Sequence, residues 1–129
     1  MTSRSRLEAK FSDALQREVQ VSLELNVRGI IGTPDIVHRE LGAIVFVHGC
    51  YWHSHRNCAI RRTPVNVCAD RFKTLEKIVS RDQFVHLTLL RQGWRVITVW
   101  ECSIRKNLDS IVVETARALL NDQRRSLVL

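Results

Sequence analysis

The 129-residue sequence predicts an α/β domain: a small mixed β-sheet flanked by helices. Two apolar runs, Ala43-Ile44-Val45-Phe46-Val47 and Trp94-Arg95-Val96-Ile97-Thr98-Val99-Trp100, read as strands, the first buried on both faces. A stretch between them repeats apolar residues at helical spacing, which suits a crossover between parallel strands. The length fits one domain, 1–129, that buries a core without disulfides.

The elements follow in order. Leu7, Phe11, Ala14, Leu15 and Val19 recur at helical spacing and predict an amphipathic helix from about Ser5 to Gln20. Ser22 to Val27 alternates, with Leu23, Leu25 and Val27 on one face of a half-buried strand. Two glycines and a proline make Arg28–Pro34 a loop. Asp35-Ile36-Val37-His38 begins a short strand, and Glu40-Leu41-Gly42 turns the chain into the Ala43–Val47 strand. A helix from about Ala69 to Arg91 is expected to carry Phe72, Leu75, Val79, Leu87 and Leu90 inward, with Gly93 as its stop. The Trp94–Trp100 strand delivers Glu101-Cys102 at its end, and a last helix covers about Leu108 to Asn121.

Composition narrows the function. With 45% hydrophobic and 26% charged residues, the chain is globular and not a disordered tail. Twenty Lys+Arg against thirteen Asp+Glu gives +7, and the pI near 9.9 points to a polyanion such as nucleic acid. No apolar run reaches transmembrane length, and Met1–Arg6 lacks the apolar core of a signal peptide. The expectation is a cytoplasmic protein without a membrane partner. In that compartment four cysteines serve as metal ligands or buried thiols, not disulfides.

The densest chemistry lies in His48-Gly49-Cys50-Tyr51-Trp52-His53-Ser54-His55-Arg56-Asn57-Cys58, where three histidines and two cysteines share eleven positions. Cys50, His55, Cys58 and the distant Cys102 make an economical four-ligand zinc site, since soft thiolates disfavour magnesium or calcium. Cys68 is an alternative ligand, and Cys68 and Cys102 also read as small buried hydrophobes. His48 and His53 are surplus to that set; they can activate water or protonate a leaving group, or simply fill space as hydrogen-bonded imidazoles. Asp35, where the Gly/Pro loop meets a strand, can hold Mg²⁺ with few protein ligands or merely cap a turn. Glu8 on the first helix is a rim residue or a further ligand.

Gly32-x-Pro34-Asp35-Ile36-Val37, Val45-Phe46-Val47-His48-Gly49-Cys50-Tyr51-Trp52-His53-x-His55 and Gly93-Trp94-Arg95-Val96-x-x-Val99-Trp100-Glu101-Cys102 together resemble the very short patch repair (Vsr) endonucleases. The likeness runs in one order from about Glu8 to Arg105. It implies a restriction endonuclease-like fold of the PD-(D/E)XK superfamily with a structural zinc loop. It also implies a bacterial enzyme that nicks double-stranded DNA 5′ of the thymine in T·G mismatches left by deaminated 5-methylcytosine. Carried over by motif, Asp35 and the Val47 carbonyl would bind catalytic Mg²⁺. His48 and His53 would assist hydrolysis, His53 as the general base, with Glu8 also at the site. Cys50, His55, Cys58 and Cys102 would hold structural Zn²⁺, and Tyr51 and Trp52 would wedge into the base stack, where a mismatch makes unstacking cheapest.

Some positions depart from the family pattern. Only seven residues precede Glu8, where the family carries a longer basic arm, which implies weaker clamping of DNA. Val47 replaces a common threonine, Cys58 lies one residue further from His55, and the segment around Leu75–Asp82 is shortened. The expected partner is mismatched DNA, engaged by a monomer because a nick needs one active site, with mismatch-repair proteins as candidate partners. The competing readings are a related endonuclease with another DNA target and a zinc-stabilised DNA-binding module without catalysis. Arg124-Arg125 reads as a solvated tail.

Overall fold

A computed structural model describes residues 6–58, 69–121 and 127–129. Cys68 and Arg124-Arg125 lie outside the described residues. The chain forms α1 (Arg6–Glu18), β1 (Glu24–Leu25), β2 (Ile36–His38), β3 (Ala43–His48), α2 (Ala69–Arg91), β4 (Arg95–Trp100), α3 (Glu101–Lys106), α4 (Leu108–Leu120) and β5 (Leu127–Val128). The sheet runs β1-β2-β3-β4-β5. Its first two pairings are antiparallel, whereas β3–β4 and β4–β5 are parallel. This is the mixed α/β arrangement that the sequence predicts, with α2 as the crossover between β3 and β4.

Two apolar layers explain the order. On one face of the sheet, Phe11 and Leu15 of α1, with Val19 just past its end, meet Ile111, Val112, Ala116 and Leu119 of α4 over Ile36, Val45, Ile97 and Val99. On the other, Val85 and Leu89 of α2 cover Val37, Ile44, Phe46 and Val96. Odd and even residues of β3 thus serve opposite layers, as the strand period demands. Asn107 starts α4 by accepting the Ser110 amide at 3.1 Å. The buried Arg95 guanidinium donates to the Ala118 and Leu119 carbonyls and satisfies the end of that helix.

Several expectations need correction. The span of α2 is as predicted, but Phe72, Leu87 and Leu90 are 55%, 54% and 40% exposed. Its sheet-facing stripe runs instead through Leu75, Asp82, Val85 and Leu89, at helical spacing around a narrower arc. The strand expected over Ser22–Val27 contracts to Glu24–Leu25, with Leu25 exposed, because only these residues find partners on β2. Glu101-Cys102 follows the strand end directly, as expected, but begins a short helix, α3, that was not anticipated. The short β5 was not anticipated; it is held as Leu129 donates to the Thr98 carbonyl at 2.7 Å.

One tight fit positions the site loop. Gly32 has φ +82, and a Cβ there would lie 2.5 Å from Val85 Cγ1 and 3.3 Å from Phe46 Cζ. A side chain would meet both a disfavoured backbone and a filled core. Gly32→Ala is expected to cost about 3 kcal/mol and to lower the melting temperature by roughly 10 °C. Calorimetry checks this; an unchanged melting temperature would show that the loop packs elsewhere.

Candidate active site and metal centre

β2 begins at Ile36, paired with Val45, so the rung before it in the antiparallel ladder has no strand partner. There the Asp35 carboxylate takes over: its Oδ2 accepts the Val47 amide at 2.7 Å. The N–H and C=O of one extended residue project from the same strand edge, so the Val47 carbonyl also faces the Asp35 side. Asn26 donates to the Asp35 carbonyl at 3.0 Å and Val27 to that of Pro34 at 3.1 Å, closing the loop that sets Asp35.

Asp35 opens into a cavity of about 860 Å³ whose lining includes Glu8, Val47, His48, Trp52, His53 and Asp82. Glu8 comes from α1 and is half-buried. His48, at the end of β3, stacks face to face on His53 with ring centroids 3.9 Å apart and planes 4° apart. His53 Nδ1 lies 2.6 Å from Asp82 Oδ2, on α2. With Nδ1–H donating to the carboxylate, the lone pair of Nε2 is left for a proton. The ligand atoms of His48, His53 and Asp82 are within 4.8 Å of one another. Parallel stacked imidazoles do not aim their lone pairs at one point, so the stacking disfavours chelation of one ion by both rings.

Burial, and then the neighbouring His53, push the His48 pKa down from 6.5 to about 4. His48 is therefore neutral at pH 7, and the stacked pair avoids two adjacent charges. The sign for stability follows: the unfolded chain binds this proton more readily, so the contribution of neutral His48 is complete above pH 6.5. It is lost as pH falls from there through about 4.

Asp82 was not among the residues expected at the site. A carboxylate in the buried stripe of α2, between Leu75 and Val85, was the available signal. Because Asp82 holds the His53 ring at 2.6 Å and, by accepting from Nδ1–H, would select its tautomer, Asp82→Asn is expected to lower kcat for cleavage roughly 10²-fold with little change in KM. A loss confined to KM would instead assign Asp82 to binding.

The second cluster joins Cys50, His55, Cys58 and Cys102, whose ligand atoms also lie within 4.8 Å of one another. Here the geometry is that of a cage. Cys50 Sγ is 3.6 Å and Cys102 Sγ 3.5 Å from His55 Nδ1. A tetrahedron with metal–S bonds of about 2.3 Å and a metal–N bond of about 2.1 Å has N···S edges of about 3.6 Å. The donor set and its spacing thus fit a tetrahedral metal ion. Support around the ligands is in place: Cys102 N donates to Cys50 Sγ at 3.3 Å, and Cys50 N to Glu101 Oε1 at 3.1 Å. Burial pushes the Cys50 thiol up to about 12 in the absence of a cation.

Trp100 connects the two centres. Its ring stacks on His55 at 4.0 Å and meets His48 edge-on at 5.2 Å. Left-handed Ser54 and Asn57, with φ of 52°, let the chain reverse between the ligands. The aromatic pair is divided: Trp52 is 50% exposed, whereas the Tyr51 hydroxyl is buried without a hydrogen-bond partner among the described residues.

The structure therefore brings together Glu8, Asp35, Val47, His48 and His53 in one cavity, and the four expected metal ligands in one cluster. No helix among the described residues is long and apolar enough to cross a membrane.

Comparison with known proteins agrees with this geometry. The family model for DNA mismatch endonuclease Vsr matches residues 16–59. The type II nicking enzyme V.XorIIP of Xanthomonas oryzae is 34% identical over 91 residues, 70% of this chain and 66% of that protein. The DNA mismatch endonuclease Vsr of Escherichia coli is 38% identical over 74 residues, 57% of this chain and 47% of the relative. The type II nicking enzyme V.NmeAIP of Neisseria meningitidis is 32% identical over 80 residues, covering 62% and 56%. The chain thus spans about half to two thirds of the length of these relatives. Family match, relatives, mixed sheet and the paired clusters agree: this chain belongs to the Vsr family of DNA mismatch endonucleases, with its restriction endonuclease-like fold.

Proposed function

We propose that this protein nicks double-stranded DNA 5′ of the thymine of a T·G mismatch, with Mg²⁺ in the catalytic cavity and Zn²⁺ in the cysteine–histidine cluster. The observation that carries the reading is the convergence of Asp35, the Val47 carbonyl edge and the His53–Asp82 pair on one cavity, beside a cysteine–histidine cluster that could hold a metal ion. Asp35 and Val47 would hold the magnesium ion, a hard cation that takes few protein oxygens and keeps its waters. When bound, that ion polarises the phosphate and offsets charge on the leaving oxygen.

The chain's own groups do the remaining work. His53 Nε2 takes the proton of the attacking water, while Asp82 holds the ring in place and stabilises the imidazolium that forms. Neutral His48 supports that ring by stacking and adds no competing charge. Glu8 completes the acidic side of the cavity. Trp52, the exposed ring at the cavity mouth, is the wedge presented to the base stack, with Tyr51 packed edge-on behind it at 5.2 Å. A mismatched step lowers the cost of its entry.

The test is strand-resolved nicking of an end-labelled duplex with one T·G mismatch in several sequence contexts. A Mg²⁺-dependent cut immediately 5′ of the thymine, absent from the matched duplex and with EDTA, is expected. Equal cutting of matched and mismatched duplexes would replace this reading with a differently targeted nuclease. Tight, mismatch-selective binding without a cut would make the protein a binding module.

A further inference from the structure

We propose that Arg28, Arg81 and His86 form a second phosphate subsite in the Asp35 cavity, which grips a DNA backbone phosphate next to the one being cut. The inference rests on the nuclease reading above and adds residues that it does not use. All three side chains line the same cavity as Asp35, His48 and His53. They come from two elements. Arg28 lies in the β1–β2 loop, held near Asp35 by the bonds from Asn26 and Val27 across to Asp35 and Pro34. Arg81 and His86 bracket Asp82 on α2.

Their donors are uncommitted where the acids are not. Asp35 accepts from Val47 and Asp82 pairs with His53, while neither arginine forms an ion pair among the described residues. Both arginines are exposed, so their guanidinium forks are accessible to a phosphate, the anion they match bidentately. His86 lines the cavity together with His48 and His53 and lies one turn beyond Asp82 on α2. Space agrees as well. A magnesium ion with six waters takes about 180 Å³, so a cavity of about 860 Å³ has room for more than one nucleotide's backbone.

The experiment places a single uncharged methylphosphonate at successive positions around the nick and compares wild type with Arg28→Gln, Arg81→Gln, His86→Leu and His86→Gln. Zinc content and melting temperature confirm folding. On unmodified DNA, each arginine variant and His86→Leu is expected to lose roughly 10- to 100-fold in kcat/KM. His86→Gln, which keeps an N–H donor, recovers part of the loss. At one flanking position the methylphosphonate should penalise wild type by a similar factor and the variants little further. Penalties that add at every position, or variants as active as wild type, would overturn the subsite. Binding of the same duplexes to Asp35→Asn protein without divalent ion provides a readout that needs no cleavage. Interference at one phosphate there supports the subsite even if no DNA is cut, and uniform weakening at all phosphates refutes it.

Discussion

Asp35→Asn is expected to reduce nicking by at least about 10³-fold while leaving the fold intact. The hydrogen bond at 2.7 Å explains the choice of substitution. An asparagine oxygen can still accept from the Val47 amide, so only the charge and its hold on a divalent ion are removed. Asp35→Ala, the simpler choice from sequence, also orphans that amide and is expected to cost about 1–3 kcal/mol of stability. Activity and melting temperature should therefore fall together in the alanine variant and separate in the asparagine variant. Nicking by the asparagine variant within tenfold of wild type would remove Asp35 from the catalytic centre.

The second large effect concerns the metal cage. Cys102→Ser, or removal of metal by a chelator, is expected to release the 49–58 loop from the start of α3 and lower the melting temperature by more than about 10 °C, since structural zinc contributes directly to folding. Reloading zinc should release at least one proton per ion, because buried Cys50 is a thiol until a cation arrives. Zinc affinity must then weaken as pH falls. Metal analysis and calorimetry in buffers of different ionisation enthalpy check both points. A metal-free protein that melts at the same temperature and takes up no zinc would leave the cluster as four packed side chains. Because Trp100 touches both His55 and His48, cleavage should fall with metal removal even though Asp35 and Val47, the proposed magnesium ligands, are untouched.

The two central strands were readable in sequence because β3 and β4 are covered on both sides, and such burial leaves an uninterrupted apolar run. The four residues of the candidate metal cluster were readable for a different reason: cysteine and histidine advertise their chemistry wherever they fall. The family motifs suggested roles for Asp35, Val47 and His53, which spacing alone left open. Other features were hidden. Asp82 is 29 residues from His53, and only the packing of α2 onto the sheet unites them. The inward face of α2 was misread because Phe72, Leu87 and Leu90 mark a second apolar arc that points away from the sheet. β5 has two residues, too few for any periodicity, and owes its existence to β4 beside it.

The substitution of a side chain for a strand carbonyl at Val47 has a practical consequence. That amide belongs at once to a central strand of the sheet and to the carboxylate proposed to carry the chemistry. A proton, a metal ion or a change of solvent at Asp35 must alter the strength of this one bond. The Val47 amide is thus a native spectroscopic reporter, whose chemical shift and exchange rate follow the carboxylate in a protein that has never met DNA.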